Sequence, residues 1–425
     1  MAEPTAHEQL FLELINRARL DPGAEAVRTG VSLGTITPAS KQPLAFNLQL
    51  NDAADAHSAH MLAVDIFSHT GAGDGGPADR MVAAGYTGFY TWGENIAWNG
   101  VAGTSLNVAG SVLLQHDNLF RSSGHRANIL NDGFREIGIG SIAGKYESWD
   151  ALMTTQNFAS AGTGAFLTGV VYDDTNRNAF YSVGEGRGNV TVDVLAGNTA
   201  LGSTASWEAG GYAFKTTATG ALTVKFSGGG LGQPAGATIM QGSSNTKIDL
   251  VNGNLILSSA STELAFSARH LKLLGTADLD GVGTAAGNRI TGNTGANVLQ
   301  GRDGADVLRG WLDDDRLEGG NGADKLFGGA GSDTLVGAGG NDVLTGGPGG
   351  DTFVFAGSFG KDTIADFQDG IDMIRFVQAS AFDFSDLTIT GNGTAALRVG
   401  LNGSTVDIAG ASPIVLTAAD FEFLA

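Results

Sequence analysis

Three sets of residues in this chain have the types and spacing to do chemistry. The first is a row of carboxylates. Asp306, Asp315, Asp324, Asp333, Asp342 and Asp351 recur every ninth residue, each two places before an apolar side chain: Leu308, Leu317, Leu326, Leu335, Leu344 and Phe353. Glycine fills the intervals, taking 21 of the 70 positions between 281 and 350. The unit reads G-G-x-G-x-D-x-U-x, as in Gly319-Gly320-Asn321-Gly322-Ala323-Asp324. Glycine lets the turn take positive φ and present its carbonyls, Asp adds a hard anionic oxygen, and the apolar residue plugs a flat coil, which together suit Ca²⁺. Two units make one coil turn, so Asp306, Asp324 and Asp342 should stack on one side and Asp315, Asp333 and Asp351 on the other. Ile290 and Leu299 keep the phase upstream, but Asn288 and Asn297 replace Asp, and these units read as a cap at the start. The turn Gly310-Trp311-Leu312-Asp313-Asp314-Asp315 lacks two motif glycines, which counts against an ion there.

The second set is a twelve-residue loop with oxygen side chains at positions 1, 3, 5, 9 and 12: Asp174, Asn176, Asn178, Ser182 and Glu185. The spacing is that of a calcium loop, with the Phe180 carbonyl at position 7 and Ala179 where glycine is the usual choice. An Asx-rich turn without metal fits the same residues. The third set is a group of histidines and acids: His69, Glu94, His116 with Asp117, and His125. Two imidazoles and a carboxylate can hold Zn²⁺, as can the three imidazoles of His69, His125 and His116, or Glu94 can be left to activate water. Equally, Gly93-Glu94-Asn95 and Gly124-His125-Arg126 can brace loops around a sheet. His57 and His60 read as helix-surface or packing residues. Tyr86, Tyr90, Trp92 and Trp98 flank Glu94 and suit either a groove or a core.

The elements that must position these groups fall in three zones. Thr5-x-x-Glu8 is a capping box opening a helix to about Leu20, which Asp21-Pro22-Gly23 stops. Further helices are predicted over 48–65, 106–118 and 125–131, and strands over 134–142 and 151–158, giving an α+β zone. From 162 to about 268 the pattern alternates with period two, as in Asn189-Val190-Thr191-Val192-Asp193-Val194-Leu195, and a small β-sandwich is expected. The repeats follow. A net charge of -20 disfavours nucleic acid and anionic membrane surfaces as partners and favours cations. The absence of cysteine excludes disulfides, Cys-ligated metal and a thiol nucleophile. No apolar run is long enough to span a membrane, and Met1-Ala2-Glu3-Pro4-Thr5 lacks the basic and apolar regions of a signal peptide, which taken alone points to the cytoplasm.

Residues 270–425 resemble the RTX, or haemolysin-type calcium-binding, family. Gly360-Lys361-Asp362-Thr363-Ile364 through Gly370-Ile371-Asp372-Met373-Ile374 resembles the segment that closes the β-roll in serralysin-type C-terminal domains. That resemblance implies a parallel β-roll and an uncleaved signal for type I secretion, hence a protein exported by a Gram-negative bacterium. Gly169-Val170-Val171-Tyr172-Asp173 and the loop after it resemble SdrD B-like modules of surface adhesins. Phe67-Ser68-His69-Thr70, Gly93-Glu94-Asn95-Ile96, Ser123-Gly124-His125-Arg126-Ala127-Asn128-Ile129-Leu130 and Ile137-Gly138-Ile139-Gly140 together resemble the CAP superfamily (SCP domains) over residues 7–160. That family implies an α-β-α sandwich whose cleft gathers two histidines and two glutamates. His69, Glu94 and His125 match three of these; the second glutamate has no counterpart, and His116 or Asp117 stands where it is expected. The resulting domains are 1–161 (CAP), 162–268 (β-sandwich) and 269–425 (β-roll with secretion region). The expected protein is secreted, with Ca²⁺ folding the roll after export and the CAP domain binding an extracellular lipid, glycan or peptide. A peptidase-like hydrolase using Glu94, His69 and His125, and a structural surface or biofilm component, are the alternatives. Expected partners are calcium ions, the extracellular ligand and the type I machinery, with no nucleic acid and no transmembrane segment.

Overall fold

The computed structural model describes all residues except 71–72, 104, 378–382, 395–396, 411–413 and 425. The chain divides into two compact units, one of residues 1–236 and 240–253, the other of residues 237–239 and 254–425. Among the described residues no helix is long and apolar enough to cross a membrane.

The first unit opens with helix α1 (Ala6–Leu20), and its capping box forms: Glu8 N donates to Thr5 Oγ1 at 3.3 Å, and Thr5 N donates to Glu8 Oε2 at 2.8 Å. Asp21-Pro22 ends α1 and at once starts α2 (Pro22–Thr29). Asp21 accepts the Ala24 amide at 2.9 Å, and proline at the first helical position loses no hydrogen bond, so the expected stop is also a start. Strand β1 (Ala45–Phe46) precedes α3 (Leu48–Val64) and α4 (Pro77–Ala83); β2 (Phe89–Val101) leads to α5 (Val108–Arg121) and α6 (Ser123–Ile129), then β3 (Glu136–Tyr146) and β4 (Trp149–Ala161). The four strands form one sheet in the order β1-β3-β4-β2, with β1 parallel to β3 and the other pairs antiparallel. Helix α3 lies directly on it. A side chain at Gly138 or Gly140 would run into the α3 backbone at Leu50–Asn51 and Ala54–Asp55, so the Ile-Gly-Ile-Gly run of β3 is what admits the helix. Ile137 and Ile139, on the other face, are fully buried. Helix α1 packs with α5, Phe11 meeting the His116 ring edge-on at 6.2 Å.

The chain continues through β5 (Ala165–Tyr172), β6 (Val190–Ala196), β7 (Thr199–Ala205), β8 (Gly211–Thr216), β9 (Gly220–Gly228), β10 (Ala235–Gln241), whose residues 237–239 count with the second unit, and β11 (Thr246–Val251). Strand β5 pairs antiparallel with β8 and parallel with β11, and β6 pairs antiparallel with β7 and β9. A buried ion triad ties these strands to α1: Lys247 Nζ on β11 lies 2.7 Å from Glu13 Oε2 and 2.6 Å from Asp249 Oδ1. Gln9 adds a 2.9 Å bond to Glu13. Burial pulls the lysine toward neutrality, but the two carboxylates outweigh it and its pKa is raised.

The second unit is a parallel β-solenoid with an eighteen-residue coil. Ile290, Leu308, Leu326, Leu344 and Ile364 pair in succession along one sheet, and Leu299, Leu317, Leu335, Phe353 and Ile374 along the other. All ten are fully buried, so the coil interior is a single file of apolar plugs. The coil already runs through Leu255–Ser258, which pairs with His270–Leu273. It continues beyond the nonapeptides through Lys361–Ile364 and Met373–Val377, the latter pairing with the terminal Phe421–Leu424 strand.

The triad makes a direct prediction for the first unit. Lys247→Ala strands two buried carboxylates and is expected to cost about 3–5 kcal/mol, read as a lowered first transition in calorimetry of the whole chain. A melting profile unchanged by the substitution would show that the triad is not a tie.

Candidate calcium ladder and histidine site

The aspartates of the solenoid form two continuous ladders. In one, the Asp306 amide donates to Asp324 Oδ1 at 2.8 Å and the Asp324 amide to Asp342 Oδ1 at 2.9 Å. In the other, Asp315 N donates to Asp333 Oδ1 at 2.8 Å and Asp333 N to Asp351 Oδ1 at 2.9 Å. The two predicted stacks are therefore present in the expected alternation. Each carboxylate spends one oxygen on the coil before it. The other oxygen, Oδ2 of Asp306, Asp315, Asp324, Asp333, Asp342 and Asp351, is buried and has no hydrogen-bond donor. These oxygens face Gly301, Gly310, Gly319, Gly328, Gly337 and Gly346, each five residues earlier, so closely that any side chain there would fill the space. The carbonyls of Gly319, Gly328 and Gly346 border the same spaces at Gly301, Gly310 and Gly328. Buried anionic oxygens beside inward-turned carbonyls are a donor set for a hard cation. Burial drives the carboxyl pKa values up, to about 7 for Asp315, Asp324 and Asp351 and about 6 for Asp333.

The ladders also extend where spacing gave no warning. Asp342 N donates to Asp362 Oδ1 at 2.9 Å, twenty residues on, and Asp362 Oδ2 is another buried oxygen without a donor. Asp351 N donates to Asp372 Oδ1 at 3.0 Å, but there Oδ2 accepts the Gln368 amide at 2.8 Å. The only sequence trace of either residue is the D-x-I triplet that ends each segment. Asn288 and Asn297 behave as the predicted cap: their Oδ1 atoms accept the Thr284 and Asn293 amides, four residues earlier, at 2.7 and 2.9 Å. An amide from position i-4 thus closes the units at the start and at Asp372, whereas the units between leave an acceptor open. At the turn lacking glycines, Trp311 and Asp313 take φ of 107° and 68° in their place, and the Asp315 rung is intact, its Oδ1 2.7 Å from the Asn297 amide.

In the first unit, Asp174, Asn176, Asn178 and Glu185 do meet in one loop. Asp174 accepts the Asn178 and Ala179 amides at 3.1 Å each, Asn176 Oδ1 accepts the Asn178 amide, and Glu185 accepts the Thr175, Asn176 and Ser182 amides at 2.9–3.2 Å. Ala179 adopts φ of 60°, the conformation glycine would supply. Every one of these oxygens already holds an N–H, unlike those of the ladders.

Glu94 sits on the edge strand β2 opposite Asn157 of β4, and is buried. Its Oε1 is 2.7 Å from His69 Nδ1 and its Oε2 is 2.5 Å from Arg80 Nη2. With the Asn157 amide oriented to satisfy both of its ends, that side chain donates to Oε2 as well, at 3.2 Å. Arg80, on α4, also holds the His69 and Gly75 carbonyls and Asp74. Asp74 in turn bonds His57, which is fully buried. His125, at the start of α6, bonds Ser122 Oγ at 2.9 Å; burial first, and then the nearby His69, lower its pKa. Asn128 donates to the Glu94 carbonyl at 3.1 Å and to Asn95 Oδ1 at 2.9 Å, as a structural partner should.

His116 goes elsewhere. It is buried on α5 with Nε2 2.7 Å from Glu25 Oε1, and Glu25 also binds Arg17 and Arg28. Burial alone would raise the Glu25 carboxyl, but those three partners hold it well below the usual range. Arg28 also bonds Asp117, so the Glu25, His116 and Asp117 group carries its own counter-charge. The third zinc ligand expected at His116 is thus committed to Glu25. Arg80, which sequence reading did not single out, takes the place beside Glu94.

The comparisons with known proteins add to this geometry. The cysteine-rich secretory protein (CAP) family matches residues 12–158 and the RTX calcium-binding nonapeptide repeat family matches residues 282–317 and 318–353. The chain carries an N-terminal CAP domain and RTX calcium-binding repeats. A solved extracellular SCP-domain protein from Bacillus anthracis str. Ames is similar at 27% identity and a TM-score of 0.24, covering 36% of this chain and 40% of its own. The extracellular lipase LipA from Serratia marcescens is similar at 17% identity and a TM-score of 0.18, covering 37% and 45%. The chain thus spans less than half the length of either structure. None of the curated proteins matches it.

In the RTX roll, Asp324→Asn removes an oxygen that lacks a donor. It is expected to lower the number of calcium ions bound per chain, by equilibrium dialysis, and to raise the melting temperature of the calcium-free roll. An unchanged ion count would mean that this carboxylate is not a ligand.

Proposed function

We propose that this is a secreted protein in which folding of the RTX roll is coupled to calcium binding outside the cell, and in which the CAP domain is a binding module for an extracellular ligand. The observation that carries the first part is the row of buried Oδ2 atoms without donors. Ca²⁺ would be held by Asp306, Asp315, Asp324, Asp333, Asp342 and Asp351 with the neighbouring carbonyls, and it supplies the positive charge those oxygens lack. Cytosolic calcium is too low for weak sites of this kind, so a chain kept unfolded inside and folded outside suits export by a type I system. The Asp174–Glu185 loop has the spacing of a second, structural calcium site, but its oxygens already hold amides, and the Asx-rich turn without metal fits this conformation as well.

For the CAP domain, the Arg80–Glu94 ion pair favours binding over hydrolysis. The carboxylate is buried and fixed between His69 on Oε1 and Arg80 on Oε2, the arrangement of a structural brace. His69 has half its side chain exposed and is the part of the group a ligand can reach. Glu94→Gln separates the readings: a hydrolase loses turnover while retaining its fold, whereas a binding module retains its ligand.

The roll makes a pH prediction whose sign follows from the raised values. An unfolded Asp titrates near 3.9, while the folded, calcium-free residues titrate near 6 to 7. The folded state therefore holds extra protons between about pH 4 and pH 7, and its stability is lost as pH rises through 7. Far-UV circular dichroism of the whole chain without calcium is expected to show the roll unfolding more readily at pH 8 than at pH 5. Millimolar calcium should flatten that dependence, with protons released on binding at pH 6.5. A calcium-free roll equally stable at both pH values would overturn the coupling.

A further inference from the structure

We propose that a groove on the first unit, beside the outer end of β2, binds a neutral oligosaccharide. This rests on the reading of the CAP domain as a binding module and names a ligand class and a place where that domain, through Tyr90 and Arg135, meets the strands that follow it in the same unit. The groove has a volume of about 460 Å³ and is lined by Tyr90, Arg135, Thr163, Thr217, Thr219 and Ser243, with glycine and alanine backbone between them. His69, Glu94 and His125 are not among its lining residues.

The chemistry of the lining selects the ligand. Tyr90 is 65% exposed and Trp92 is 44% exposed. The register of β2 on β4 slips between Phe89 and Thr91, and Tyr90 is the extra residue there, its ring on the groove, while Tyr86 is buried with its hydroxyl on Glu136 Oε2 at 2.8 Å. An exposed tyrosine ring on a groove suits a partner with an apolar face and a polar rim. Thr163, Thr217, Thr219 and Ser243 line the groove, are exposed, and make no side-chain hydrogen bond within the described residues, so hydroxyl donors and acceptors are available on its walls. Arg135 fixes the two rims, its Nη1 donating to the Gly164 carbonyl at 2.6 Å and the Ser243 carbonyl at 2.9 Å, so the groove is formed before any ligand arrives.

Other ligand classes fit less well. No carboxylate lines the groove, which leaves nothing for a cation. No aliphatic side chain larger than alanine lines it, so a lipid tail would find little apolar surface. One arginine already bonded to two carbonyls, in a chain of net charge -20, is a poor receiver for a polyanion. A sugar ring meets each requirement, stacking its C–H face on Tyr90 and turning its hydroxyls to the threonines.

The test uses the whole chain in calcium and titrates a panel of neutral gluco-, manno- and N-acetylgluco-oligosaccharides of about four to six rings, read by calorimetry and tryptophan fluorescence. At least one is expected to bind in the millimolar to micromolar range, with Tyr90→Ala weakening it about tenfold and the pair Thr217→Val and Thr219→Val weakening it similarly, at unchanged melting temperature. Failure of every oligosaccharide to bind at about 10 mM would overturn the proposal, as would an affinity that Tyr90→Ala leaves unchanged, or selection of uronate polymers or peptides at Tyr90. A ligand whose affinity falls in His69→Ala but not in Tyr90→Ala would sink the groove and leave the binding-module reading standing. If no ligand of any class binds, both fall.

Discussion

Burying a column of carboxylates is the constraint around which the second unit is built. A coil of eighteen residues brings like charges into register, and the interior gives them no water. Half of the difficulty is met inside the chain, since each Oδ1 accepts an amide from the coil before it. The other half is left open at Oδ2, and only a proton or a cation can meet it. The ends of the ladder make the same point in reverse. At Asn288, Asn297 and Asp372 the chain closes on itself through an amide four residues back, and the corresponding oxygen is satisfied. The ladders are therefore self-sufficient at Asn288, Asn297 and Asp372 and dependent on an added charge elsewhere, the end at Asp362 included.

The first unit solves burial of charge by a different route, with internal cations. Glu94 is answered by Arg80, Glu25 by Arg17 and Arg28, and Glu13 with Asp249 by Lys247. Because these pairs draw their members from separate segments, they fix the relation of α4 to β2, of α1 to α2, and of α1 to β11. A carboxylate used in this way is fixed in orientation by its ion pair. Exposed chemistry is left to His69, at the edge of one such pair, and to the aromatic rings of β2.

How much of this was legible depended on whether the information was local. The nine-residue period, the apolar plug and the two alternating stacks could be read directly, because the solenoid repeats one local geometry and needs no distant partner to define it. The capping box at Thr5 and the Ile-Gly-Ile-Gly strand were legible for the same reason. Asp362 and Asp372 were not, since they hold their rungs at spacings of 20 and 21 residues, and the slack is absorbed in turns that spacing cannot foresee. Arg80 and His116 were missed or misplaced because their roles depend on which helix faces which strand. A histidine next to an aspartate looks like a ligand until a buried glutamate from ninety-one residues away claims it.

The sequence by itself determined the calcium-binding repeats, the parallel coil, the location of Glu94 and the histidines in a common zone, and the excess of negative charge. Each of these is set by residue type and short spacing. Only the tertiary structure decided which oxygens remain without a donor, that Arg80 closes the Glu94 site, and that Tyr90 is exposed on a groove lined by threonines and a serine. Satisfaction of a polar atom and exposure of a ring are properties of what lies opposite them, and that is fixed only when distant segments have packed.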